Sequence, residues 1–132
     1  MIINQNTKNI DSRYSGKVLP EHKSKKYYHA TYKPLLEKIK KQGLLPEKAG
    51  KNFDVIEKGI YIDRTKEGAK AFAEINENVP EEWIDDIIVF EFTAKQIKDE
   101  FLEYDPNMIT SAGQLPQTFI YKNILKVDSI TK

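Results

Sequence analysis

A chain of 132 residues can bury one hydrophobic core and is short for two, so a single compact domain is expected. It holds no cysteine and only two histidines, which excludes disulfides and thiolate chemistry and argues against a zinc site built from protein ligands alone. The formal net charge of +1 is unevenly placed: residues 1–26 carry six bases against two acids, and the remainder is net acidic.

No apolar run approaches the roughly 20 residues that a membrane helix needs. The start Met1-Ile2-Ile3-Asn4-Gln5 lacks the order of a signal peptide, and the reading is a cytoplasmic protein that binds no membrane and no metal. Residues 1–26 are polar and aperiodic, and are expected to form a basic arm ahead of one domain over 27–132. With few arginines and no aromatic before Tyr27 apart from Tyr14, the arm is a weak nucleic-acid signal.

Tyr27-Tyr28-His29-Ala30-Thr31 reads as a short strand ending in a His-x-Thr pair. Thr31 is a plausible N-cap for the helix that follows, and Pro34 suits its first turn. Leu35, Leu36 and Ile39 form an inward stripe, while Glu37, Lys38, Lys40 and Lys41 face outward. Gly43 is the expected stop, with Leu44 folding back on the last turn. His29 and Thr31 then lie at a strand end within reach of a ligand.

Lys58–Asp63 reads as a second strand, alternating Ile60 and Ile62 against Tyr61, with Asp63 or Thr65 capping a helix that turns Ala69, Phe72, Ala73 and Ile75 to one side. Residues 74–86 hold Glu74, Glu77, Glu81, Glu82, Asp85 and Asp86 with no base, a solvated surface or a docking surface for a basic partner protein. Trp83 is expected to anchor that segment. Ile87–Phe92 is the strongest strand, apolar enough to be central. A helical turn near 93–97 follows, then strands at 101–104, 118–121 and 124–130. The sum is an α/β or α+β domain without repeats or low-complexity tracts.

The order of Tyr28-His29-Ala30-Thr31, an amphipathic helix ending in Gly43-Leu44-Leu45-Pro46, and Gly59-Ile60-Tyr61-Ile62-Asp63 before a helix with Ala69 and Ala73 resembles the ADP-ribosyltransferase fold. It is most similar to the group sharing a His-Gly-Thr or His-Ala-Thr motif, which includes RNA 2′-phosphotransferases, DarT-like DNA-modifying toxins and small phage and prophage proteins. The resemblance spans about residues 27 to 130 and implies an α+β domain with a split β-sheet core and a few flanking helices, holding NAD or a related nucleotide in a cleft. It places His29, Ala30, Thr31, Tyr61 and Arg64 at the cofactor. His29 would orient the nicotinamide-side ribose, Thr31 would hold the ribose or the amide, Tyr61 would stack on the nicotinamide, and Arg64 would meet a pyrophosphate or the acceptor.

The family's third motif is a late-strand Glu that stabilises the oxocarbenium-like transition state, and no acid occurs between Asp105 and Asp128. Gln114 or Gln117 falls about where it should be, and a glutamine supplies a hydrogen-bond acceptor without the charge, at a cost on the order of 10²–10³ in rate. Glu91, Glu103 or Asp105 are possible replacements from other strands. Arg13 and Arg64 are the sole arginines, too few for the phosphate grip of RNA 2′-phosphotransferases. The expected activity is ADP-ribosyl transfer from NAD to a protein or nucleic-acid acceptor. The alternative is an inactive member of the fold that binds a nucleotide or a partner protein, such as a phage factor acting against a host defence.

Overall fold

The structure, a computed structural model, describes residues 17–46, 59–76, 79–105, 115–127 and 130–131. It is a mixed α/β domain built on one antiparallel sheet with few helices. The strands are β1 (Lys26–Tyr32), β2 (Ile60–Asp63), β3 (Ile87–Thr93), β4 (Leu102–Tyr104), β5 (Thr118–Tyr121) and the two-residue β6 (Ile130–Thr131), in the spatial order β4-β5-β2-β1-β3-β6. The helices are α1 (Leu36–Gln42), α2 (Lys66–Glu74) and the single turn α3 (Glu81–Ile84).

Within this sheet the pairing is uneven. β1 and β3 are in register over seven residue pairs and β2 and β5 over four, whereas β1 and β2 meet at Tyr28 opposite Asp63 alone. The sheet therefore consists of two three-stranded halves, β4-β5-β2 and β1-β3-β6, joined at one register pair and parting beyond it.

Strand alternation assigns the two faces. On one, Tyr27, His29 and Thr31 of β1 lie beside Ile88, Phe90 and Phe92 of β3, and Ile60 and Ile62 of β2 lie beside Phe119 and Tyr121 of β5. This face carries the main core, closed by Ile39 of α1 with Val18, Leu44, Ile97 and Leu125. On the other face lie Tyr28, Ala30 and Tyr32, with Tyr61, Asp63, Thr118 and Ile120. α2 packs across this side, with Ala69 and Ala73 buried and the Tyr32 hydroxyl donating to the Ala73 carbonyl at 2.8 Å.

The helices follow local chemistry. Thr65 caps α2, its hydroxyl accepting from the Gly68 N–H at 3.0 Å. Ahead of α1, Pro34 sits in a 3₁₀ turn over Lys33–Leu35. Tyr32, in extended conformation, precedes that turn, so Thr31 is not a cap; it stays in β1, and His29 is in the middle of the strand instead of at its end. Both residues keep β1's ladder to β3, which runs in register over all seven residues of the strand before Pro34 enters the following turn.

Other expectations shift for equally local reasons. Leu44 is buried in the same cluster as Ile39 of α1, and its backbone also pairs with Leu125, through Leu44 N to Leu125 O at 2.7 Å and the reverse bond at 3.1 Å. That pairing takes up part of the strand expected over 124–130, of which Leu125 and β6 remain. Ile75 lies past the end of α2 and is 67% exposed. Within the expected arm Val18 and His22 are buried, the His22 Nδ1 lying 2.7 Å from the Tyr104 hydroxyl, while Lys17, Leu19, Pro20, Glu21 and Lys25 are exposed. Trp83 anchors α3 against Tyr32, with ring centroids 6.0 Å apart, while Glu81, Glu82, Asp85 and Asp86 are exposed. Residues 1–16 and Glu77 lie outside the described residues.

Gly43 closes α1 at φ +78°, and a Cβ there would stand 2.8 Å from the Leu125 carbonyl oxygen. Gly43→Ala therefore combines an unfavourable backbone region with a clash against the Leu44–Leu125 pairing, and is expected to lower the unfolding free energy by about 1–3 kcal/mol in urea titration.

Candidate functional site

A cavity of about 350 Å³ lies where β1 and β2 part. Because it lies at the gap between the sheet halves, residues of both faces line it. His29, Thr31, Ile60 and Ile62 come from the core side, and Tyr32, Tyr61, Asp63 and Thr118 from the side covered by α2. Leu35 and Ile39 of the α1 region and Phe72, Ala73 and Trp83 around α2 and α3 complete a mostly apolar wall. Asp63, which lines the cavity, is also the β2 residue that meets β1, opposite Tyr28.

His29 is fixed across the gap. Its Nδ1 is 2.7 Å from the Tyr61 carbonyl oxygen. A carbonyl only accepts, so Nδ1 carries the proton and Nε2 is the remaining nitrogen, an acceptor when the ring is neutral. Burial holds the imidazole below its ordinary pKa, opposed by the bond to Tyr61, so the ring is neutral at pH 7.

Asp63 is the one carboxylate among the cavity-lining residues. It is 2% exposed, and its Oδ1 accepts from the Thr65 N–H at 2.8 Å, the Thr65 hydroxyl at 3.2 Å and the Gln117 Nε2. Burial pushes its pKa up, against these hydrogen bonds and the nearby Thr118 hydroxyl, which pull it down. Asp63 Oδ2 and Thr118 Oγ1 are buried without a hydrogen-bond partner of good geometry.

The expected site residues thus separate. His29, Ala30, Thr31 and Tyr61 converge on the cavity. Gln117 does not line it: its amide donates to Asp63 Oδ1 and, at 2.9 Å, to Thr65 Oγ1, fastening β5 to the start of α2. Arg64 is likewise directed elsewhere. Its Nε donates to the Pro116 carbonyl at 2.8 Å and its Nη2 to the His22 carbonyl, with the guanidinium 5.5 Å from the Phe119 ring centre, so it clamps backbone and does not face the cleft. Gln114 lies outside the described residues. Among the other suggested acids, Glu91, Glu103 and Asp105 are not cavity-lining residues.

Asp63 was legible as a cap but not as a wall of the cleft. The signal was its place two residues after Tyr61 on an alternating strand, which puts both side chains on one face. Among the described residues no group of three or more His, Asp and Glu is placed to hold a metal ion, and no helix is long and apolar enough to cross a membrane. Comparison with protein-family models and with curated proteins finds no match to this chain.

Two outcomes follow from this geometry. The unfolded chain protonates His29 near its ordinary pKa of about 6.5 while the folded chain resists, so folding stability falls as pH drops through that value. His29→Gln should lose this part of the pH dependence, read from urea midpoints between about pH 7.5 and 5.5. Arg64→Lys should lower stability by about 1–2 kcal/mol, because an ammonium cannot span both carbonyls, and should leave ligand binding in the cleft unchanged in calorimetry.

Proposed function

We propose that the cleft between β1 and β2 binds NAD and that the protein transfers ADP-ribose from it to a protein or nucleic-acid acceptor. The observation that supports this reading is the meeting of His29, Ala30, Thr31 and Tyr61 at a gap between two antiparallel half-sheets. The His-Ala-Thr motif and the following Tyr strand resemble the ADP-ribosyltransferase core, a finer assignment than the mixed α/β fold itself.

In this reading the neutral His29 accepts a ribose hydroxyl hydrogen bond at Nε2, Thr31 adds a second polar contact, and the face of Tyr61 stacks on the pyridinium. The C1–N bond to nicotinamide breaks with its electron pair leaving on nicotinamide, an acceptor nucleophile forms the new bond to C1, and its proton passes to solvent. A buried carboxylate near the reacting ribose opposes positive charge at C1, and Asp63 is the candidate in the cleft.

A second reading has its own observation. Gln117 and Arg64, the expected acid-position and phosphate contacts, are both engaged in holding the scaffold, which suits a member of the fold that binds a nucleotide or a partner protein without turnover. Incubation with NAD labelled in the adenylate phosphate, with a bacterial lysate and nucleic acid, separates the two. Label transfer with nicotinamide release is expected, falling at least ~10²-fold in His29→Ala. Binding of NAD without transfer or release favours the second reading, and absence of binding in folded protein rules out both uses of NAD.

A further inference from the structure

The wall that α1 gives to the cavity changes character along one side of the helix. Leu35, Lys38, Ile39 and Gln42 recur at helical spacing, and all four line the cavity. Ile39 is buried in the core, whereas Lys38 and Gln42 are exposed, so this wall runs from apolar inside to polar where the cavity meets solvent. Lys38 is the one cation among the described lining residues, His29 being neutral. Lys40 and Lys41 stand on the same helix, and Glu37, its one acid, pairs with Lys40 at 3.6 Å. The α1 lip is therefore net positive. The wall at Trp83 has the opposite sign, because its exposed neighbours Glu81, Glu82, Asp85 and Asp86 are all acids.

These charges decide where a negative ligand group can lie. NAD carries its two phosphates between its two rings. The interior of the cavity is mostly apolar and offers a phosphate little to replace its water, while the acids around α3 repel it. Arg64 is engaged with the carbonyls of Pro116 and His22. The α1 lip remains. There an ammonium can meet a phosphate as a point charge while both keep much of their water, and the Gln42 amide, one turn on, offers N–H donors beside it.

We infer that Lys38, with Gln42 beside it, is the diphosphate contact of the cleft, so that a bound dinucleotide places one ring in the cavity and carries its phosphates out over α1. The inference rests on the proposed NAD reading for the identity of the ligand. It moves the expected phosphate contact from Arg64, on the β2–α2 turn, to the opposite side of the sheet, where α1 packs.

The test is calorimetric titration of the full chain with NAD, adenosine diphosphate, adenosine and nicotinamide, repeated for Lys38→Gln, Lys38→Glu and Lys41→Gln. Lys38 and Lys41 are exposed, so all three variants should keep the natural melting temperature. Lys41→Gln removes the same charge from the same helix at a position that does not line the cavity. NAD and adenosine diphosphate should bind about 3- to 10-fold more weakly to Lys38→Gln and more than ~10-fold more weakly to Lys38→Glu. Adenosine and nicotinamide, which lack phosphate, should bind all the chains alike, and Lys41→Gln should bind every ligand as the natural chain does.

Unchanged diphosphate binding in Lys38→Glu overturns the inference, as does an equal loss in Lys41→Gln, which would show a diffuse field instead of a contact. If NAD is turned over while Lys38→Glu binds it as the natural chain does, the contact is wrong and the transfer reading stands. If diphosphate binding depends on Lys38 but no nicotinamide is released, the contact stands and the transfer reading fails. If neither NAD nor adenosine diphosphate binds the natural chain, both fail.

Discussion

The organisation of the molecule turns on the junction of β1 and β2. A continuous ladder there would have produced an ordinary six-stranded sheet with its surface covered on both sides. Instead the strands meet at Tyr28 and Asp63 and then part, and the two halves are held by what bridges the gap: His29 reaching the Tyr61 carbonyl, and the helices lying across either side. Backbone N–H and C=O groups along the parted edges lose their ladder partners, so a side-chain ring that answers one of those carbonyls removes part of the penalty of opening the sheet. The residue that steadies the gap is the residue whose second nitrogen remains for a ligand.

The same economy governs the β2–α2 turn. Asp63, Arg64 and Thr65 are adjacent in the chain, yet they face three ways. Thr65 caps the helix, Arg64 clamps the carbonyls of His22 and Pro116, and Asp63 ties the turn to Gln117, the residue just before β5. Through these three residues the segment before β1, the lead-in to β5 and the start of α2 are fixed to one another. The polar groups around Asp63 are therefore preorganised by bonds that belong to the scaffold.

The elements were largely legible because their signals are short-range. Alternation in Ile60–Asp63 and Thr118–Tyr121, the apolar run of β3, Pro34 and Gly43 around the first helix, and Thr65 before the second each depend on neighbouring residues. What was not legible depends on distant partners. Leu125 belongs by its neighbours to a seven-residue strand until Leu44 takes its ladder bonds, and Val18 belongs to a polar segment until the core closes over it. For the site, His29, Ala30, Thr31 and Tyr61 share local motifs and did converge. The roles expected of Arg64 and Gln117 depended on side-chain direction, which spacing does not specify: both point at backbone or at Asp63, 52 or 54 residues away for Gln117's two bonds to Thr65 and Asp63.

The packing of residues 17–23 has a bearing on solubility. β4 ends one side of the sheet, and a strand so placed presents unpaired backbone groups on which another chain can add itself. Here Lys17 bridges to Glu103, the Leu19 N–H bonds the Tyr104 hydroxyl at 3.0 Å, and Val18 is buried beside them. The protein thus shields its own open flank with a short polar strap whose charged Lys17 marks the outer rim. The segment before the first strand thus occupies part of an edge on which another strand could otherwise pair.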